Sequence, residues 1–119
     1  MKNLFLIIFV CTGFSVFSQE SITASQAKDF VGKEVFLSGK VAGARLFQRP
    51  TGDMLLLNID KPHPSNDITV VIEGEVISKG KFSEATLQGK SIKVTGVVSI
   101  FKEKPQIKLE NEAKLTIIE

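Results

Sequence analysis

Gly89 to Leu109 reads GKSIKVTGVVSIFKEKPQIKL. Ile92, Val94, Gly96, Val98 and Ile100 alternate there with Lys93, Thr95 and Ser99, so one face is apolar and the other polar. A charged turn, Lys102-Glu103-Lys104, interrupts the pattern, which resumes at Ile107 and Leu109. Period two broken by a polar turn predicts strand, turn, strand. Gly96 lies mid-strand, where glycine marks a bulge, a bend or a close backbone approach. A strand that bends at glycine and returns as a hairpin is what a small closed barrel requires.

Working outward, the same alternation recurs upstream. From Glu34 to Phe47 the chain places Val35, Leu37, Gly39 and Val41 on one face, with Phe36, Ser38 and Lys40 on the other. Gly39 and Gly43 would let this long strand curl between two halves of a sheet. Residues 47–53, FQRPTGD, read as a loop, since Pro removes a ladder donor and Gly supplies turn dihedrals. Met54 to Ile59 is a strand with Leu55, Leu57 and Ile59 inward. DKPHPSND (60–67) is an irregular loop, and Ile68 to Ile72 a β-branched strand with Val70 and Ile72 inward.

Short helices fill the gaps. Thr23 and Gln26 have capping-box spacing for a helix over Ala24–Phe30, with Ala27, Phe30 and Val31 inward and Gly32 as a left-handed stop. Residues 75–82 suit a short helix broken at Gly80, with Phe82 and Leu87 as plugs, and Leu115 and Ile117 extend or cover the last strand. Five strands with a helical connection between the third and fourth give an all-β fold with short helices. Its architecture is the five-stranded Greek-key OB-fold barrel.

The amino terminus belongs to something else. Lys2 precedes a nearly unbroken apolar run, Leu4 to Phe17, ending in Val16-Phe17-Ser18. That is a signal-peptide pattern over residues 1–18, shorter than the roughly 20 residues of a membrane span. The domain is therefore 19–119, periplasmic or secreted, with no membrane span after cleavage. The one cysteine, Cys11, leaves with the leader, which excludes disulfide and thiol chemistry from the mature chain. Across the whole chain 15 Lys and Arg face 13 Asp and Glu, and only Lys2 falls in the leader. That near balance does not announce a nucleic-acid binder, and Trp and Tyr are absent.

The segment Ala27-x-x-Phe30-Val31-Gly32-Lys33-x-Val35, then Ser38-Gly39-Lys40-Val41, resembles the opening of small exported bacterial OB-fold proteins of the tRNA-anticodon-binding-like group. Gly89-Lys90-x-Ile92-x-Val94-Thr95-Gly96 and Lys104-Pro105-Gln106-Ile107 match the second half, so the resemblance spans nearly the whole mature chain. It implies a barrel, and it carries no base-contacting motif of anticodon-binding synthetase domains.

In such a barrel the binding surface is the outer face of the second and third strands, framed by the loop after the first and the turn between the fourth and fifth. On this register that face shows Met54, Leu56, Asn58, Thr69, Val71 and Glu73. The framing loops supply Arg45, Phe47 and Arg49 on one side and Phe101, Lys102 and Lys104 on the other. Cations beside Phe rings suit a phosphate backbone with a stacked base, although turn lysines are also ordinary solvated residues. Gln106, after Pro105 at a strand start, offers an amide to a base edge or a peptide group. The expected ligand-binding set is thus Arg45, Phe47, Arg49, Asn58, Thr69, Phe101, Lys102, Lys104 and Gln106.

Catalysis is not expected. His63, the single histidine, sits between two prolines with no nucleophile motif. Asp60, Asn66 and Asp67 fit no EF-hand spacing, and Arg45 and Arg49 lack the paired carboxylates of a metal-dependent nuclease. No cofactor or metal is expected. The sequence points to a non-enzymatic binding module for single-stranded nucleic acid or another extended polymer. The alternative is a protein-interaction or envelope-stress module, binding an envelope protein through Met54, Leu56 and Val71.

Overall fold

The computed structural model describes residues 20–118, so the expected leader and Cys11 lie outside the described residues. The strands are β1 (Glu20–Ile22), β2 (Glu34–Phe47), β3 (Met54–Ile59), β4 (Thr69–Glu73), β5 (Ser91–Phe101), β6 (Lys104–Lys108) and β7 (Leu115–Ile117). Two short helices, α1 (Gly74–Gly80) and α2 (Glu84–Leu87), separate β4 from β5. The five strands expected from alternation are β2 to β6.

These five close on themselves. β2 pairs antiparallel with β3, and β3 with β4. β6 then lies parallel to β4 and antiparallel to β5, and β5 returns to β2, completing the ring. This is the OB-fold order. β2 divides its length between two barrel neighbours: it pairs with β5 through 34–40 and with β3 through 41–47, with a register shift between Val41 and Gly43.

Glycine is required where these strands come closest to others. A Cβ on Gly39 would lie 2.4 Å from Ile59 Cγ2, and one on Gly96 2.5 Å from Ile107 Cγ2. Both distances are far inside carbon–carbon contact, so any side chain there would force the barrel open.

The interior is aliphatic. Val35, Leu37, Val41, Leu55, Leu57, Ile59, Val70, Ile72, Ile92, Val94, Val98 and Ile107 are all buried, as their alternation predicts. Leu87 from α2 is fully buried beneath them, and Phe30 and Phe82 pack at the margin. No Phe among the described residues belongs to the fully buried set. The rings are left for the rim and surface.

Several expectations are corrected. Ile100 is 50% exposed rather than inward, because it pairs with Pro105 one step from the hairpin tip, beyond the end of the core. The predicted helix over Ala24–Phe30 is a 3-10 helix, Ala24–Asp29, and Val31 is 44% exposed. Its buried side chains are only Ala24 and Ala27, too few to anchor a longer α-helix. Gly32 does take the left-handed conformation, at φ 87°.

Two strands escaped the count. β1 adds in parallel to the first half of β2, and β7 pairs with β5 rather than with the last barrel strand. β1, at three residues, is too short to show a period, whereas β7 contains the Leu115 and Ile117 expected to extend or cover the last strand. Ile117 is exposed there, and Leu115 is buried.

α2 has a second task besides burying Leu87. Ser83 caps it, its Oγ accepting from Thr86 N at 3.1 Å. From α2 and the residue after it, Glu84 and Gln88 reach the edge of β2 that β5 no longer covers. Gln88 Oε1 accepts from Ala44 N and Gln88 Nε2 donates to Ala42 O, both at 2.9 Å. Glu84 Oε2 accepts from Leu46 N at 2.7 Å. Side chains stand in for the missing strand and leave that edge blunt.

Candidate ligand-binding groove

The outer face of the barrel is laid out by the ladder registers. In β2 to β3 the partners are Phe47↔Met54, Arg45↔Leu56 and Gly43↔Asn58. From β3 to β4 they are Met54↔Glu73, Leu56↔Val71 and Asn58↔Thr69, and from β4 to β6 Val71↔Lys108 and Thr69↔Gln106. Directly opposed residues share a face. Three tiers therefore cross the strands: Phe47–Met54–Glu73, Arg45–Leu56–Val71–Lys108, and Asn58–Thr69–Gln106. The first ends in a carboxylate, the second carries a cation at each end of an alkyl centre, and the third is amide and hydroxyl.

These tiers floor a groove of about 770 Å³. All nine residues of the expected binding set line it, together with His63, Pro64 and Asn66 from the β3–β4 loop and Lys108 from β6. Among the described residues lining it, five cations (Arg45, Arg49, Lys102, Lys104, Lys108) face a single carboxylate, Glu73. A chain with nearly balanced charge has concentrated positive charge on one face, which raises the local concentration of anions.

Each flank of the groove carries a ring under a cation. Arg45 Cζ lies 5.4 Å from the centre of Phe47, and Lys102 Nζ 5.5 Å from that of Phe101. Such exposed pairs contribute about 0.5–1 kcal/mol and hold both partners in place. Phe101 remains 58% exposed.

The cations are not equally free. Lys104 Nζ donates to the carbonyls of Pro64 and Asn66, so it braces the β3–β4 loop against the β5–β6 hairpin. Arg49 Nε donates to Gly52 O at 2.9 Å, and one of its Nη atoms lies 3.9 Å from Glu73. Lys108 Nζ stands 3.6 Å from the other oxygen of Glu73.

The polar tier is an ordered chain. Asn66 Nδ2 donates to Ile68 O at 3.0 Å and to Thr69 Oγ1 at 2.8 Å, and Thr69 in turn donates to Asn58 Oδ1 at 3.3 Å. Asn66 is 3% exposed, and its Oδ1 has no hydrogen-bond partner among the described residues. The network explains why Asn58 is buried although it faces outward.

The apolar patch expected of Met54, Leu56 and Val71 is smaller than the sequence suggested. Val71 is 7% exposed, covered between the Leu56 and Lys108 positions, while Met54 and Leu56 are half-buried. The expected binding set lacks Lys108 and, from the β3–β4 loop, His63, Pro64 and Asn66. Continuing the outward alternation two residues past Gln106 would have found Lys108; Asn66, in an irregular loop, has no periodic signal.

Of the metal candidates, Asp60 Oδ1 accepts from Lys40 N at 3.0 Å, and Asn66 uses its Nδ2 in the polar network. Among the described residues no group of three His, Cys, Asp or Glu is placed to hold a metal ion.

The closed ring of β2 to β6 defines an OB-fold barrel. Comparison with solved structures gives the same fold. The chain is similar to the crystal structure of yeast Stn1 and Ten1 (TM-score 0.62, 12% identity), covering 87% of this chain and 64% of that one. It is also similar to a protein described as an aspartyl-tRNA synthetase from Leishmania major (TM-score 0.53, 14% identity), 85% of this chain against 21% of that one. A third, from Klebsiella pneumoniae, is described as a nucleic acid-binding lipoprotein (TM-score 0.51, 13% identity) and is matched over 89% of this chain and 97% of its own. The chain thus spans less than two thirds of the first two. No protein-family model matches the sequence, and no curated protein gives a significant match. No helix among the described residues is long and apolar enough to cross a membrane.

Proposed function

We propose that the chain is a non-enzymatic binding module whose groove takes single-stranded nucleic acid across β3 and β4. The observation that carries this is the concentration of five cations and two surface rings around one groove in a chain of almost balanced charge. Cations hold phosphates without reading sequence, and rings stack any base. The polar tier of Asn58, Thr69 and Gln106 offers hydrogen bonds to base edges. The OB-fold neighbour described as nucleic acid-binding supports the same reading by analogy of fold. The leader pattern over residues 1–18 and the resemblance to exported bacterial barrels support action in the periplasm or outside the cell.

The test is fluorescence anisotropy of a labelled oligothymidine against purified protein from low to high salt. Affinity should fall steeply with salt, with a slope of about −0.7 for each phosphate contacted. Phe101→Ala should cost about 1–3 kcal/mol of binding while leaving that slope unchanged. Lys102→Ala should flatten the slope. No binding at low salt would end the proposal, and salt-independent retention of a protein partner lost with Leu56→Asp would replace it.

A further inference from the structure

We infer that Glu73 is a built-in competitor for a phosphate position between Arg49 and Lys108, so that the groove's own carboxylate must be displaced for an anion to enter. This rests on the proposed reading of the groove as an anion-binding face. Glu73 is the single carboxylate among the described residues lining that groove, and its two oxygens lie near two different cations, at 3.9 and 3.6 Å. Two cations, each beside a different oxygen of one acidic group, form a position that a phosphate could take.

The magnitudes favour exchange. Charge-assisted hydrogen bonds between such groups close to about 2.7–2.9 Å. Both contacts of Glu73 are looser, and its side chain is 40% exposed, so water already shares it. Ion pairs of this kind are worth little and yield easily to a multiply charged ligand. Arg49 would not drift away when Glu73 lets go, because its Nε remains tied to Gly52 O. The position is therefore held ready after the carboxylate has moved. Without Glu73 the two cations would face one another uncompensated in the empty groove, so the same carboxylate keeps the unliganded form in order and tempers its affinity.

Glu73→Gln tests this. It should tighten binding of the labelled oligothymidine about fivefold at low salt, the loss of one exposed ion-pair competitor. It should also steepen the salt dependence, since two more cations become available to phosphates. Glu75→Gln, on α1 and paired with Lys79 outside the groove, removes the same charge and should change affinity less than twofold. The gain from Glu73→Gln should shrink in an Arg49→Ala background, where only Lys108 is left to be freed. A second readout uses inorganic pyrophosphate and the NMR signal of the Arg49 Nε–H, which should shift at lower pyrophosphate concentration in Glu73→Gln than in the wild type. Unchanged or weaker binding of both probes by Glu73→Gln, or an equal gain from Glu75→Gln, would overturn the inference. Pyrophosphate binding strengthened by Glu73→Gln with no oligothymidine binding by either protein would keep the anion position and discard the nucleic-acid reading.

Discussion

Replacing Gly96 by alanine sets a methyl carbon 2.5 Å from Ile107 Cγ2. Carbon atoms pack no closer than about 3.5 Å, so one of them must move by about 1 Å. Ile107 is wholly buried between β4 and β5, and a close-packed interior leaves it nowhere to go. Overpacking of this kind costs about 1–3 kcal/mol. Alanine also restricts the unfolded chain, which offsets about 0.4–1 kcal/mol where the native backbone accepts it. The net loss is about 1–2 kcal/mol, or about 5–10 °C in melting temperature for a domain of this size. Urea unfolding followed by far-ultraviolet circular dichroism measures it, with Gly43→Ala as control. A Cβ on Gly43 would meet Asn58 Nδ2 at an ordinary 3.6 Å, so that variant should be neutral or slightly more stable. In the double variant Gly96→Ala/Ile107→Ala the losses should sum to less than the two singles, since the clashing methyl is gone. A Gly96→Ala protein as stable as the wild type, or a Gly43→Ala protein equally damaged, would refute the claim that close approach at Gly96 shapes the barrel.

Two further outcomes follow from the strands' ends and edges. The β5–β6 hairpin turns on Lys102 and Glu103, both left-handed at φ 50° and 71°, so Lys102→Asn with Glu103→Gly should raise stability by about 1–2 kcal/mol in the same urea assay. Gln88→Ala leaves Ala44 N and Ala42 O without their side-chain partner; it should cost about 1–2 kcal/mol and speed hydrogen exchange at the Ala44 amide while amides within the β2–β5 ladder stay protected.

The barrel was legible because its strands are long enough to alternate. Fourteen residues of β2 and eleven of β5 give the period repeatedly, and the loop residues 47–53, with Pro50 and Gly52, mark where β2 ends and β3 begins. Gly96 was legible as a bulge, a bend or a close approach, and Gly39 only as a place for the strand to curl; the opposing Ile107 and Ile59 show that room is at stake at both. Ile100 misled because alternation continues past the point where the barrel stops, and periodicity carries no information on where a core ends. The groove residues were readable as the complement of the buried face. Their tethers were not: Lys104 bracing a loop 38 residues earlier, or Gln88 reaching Ala44, are contacts between segments that no local pattern encodes.

The three tiers across the strands differ in chemistry from one side of the groove to the other. Turning a directional polymer end for end over this face would carry whatever hung above Thr69 and Gln106 across to Met54 and Phe47. Groups that form hydrogen bonds in one placement would meet thioether and ring in the reverse. A strand with distinct 5′ and 3′ ends would therefore be seated with a single polarity, even where its sequence is immaterial.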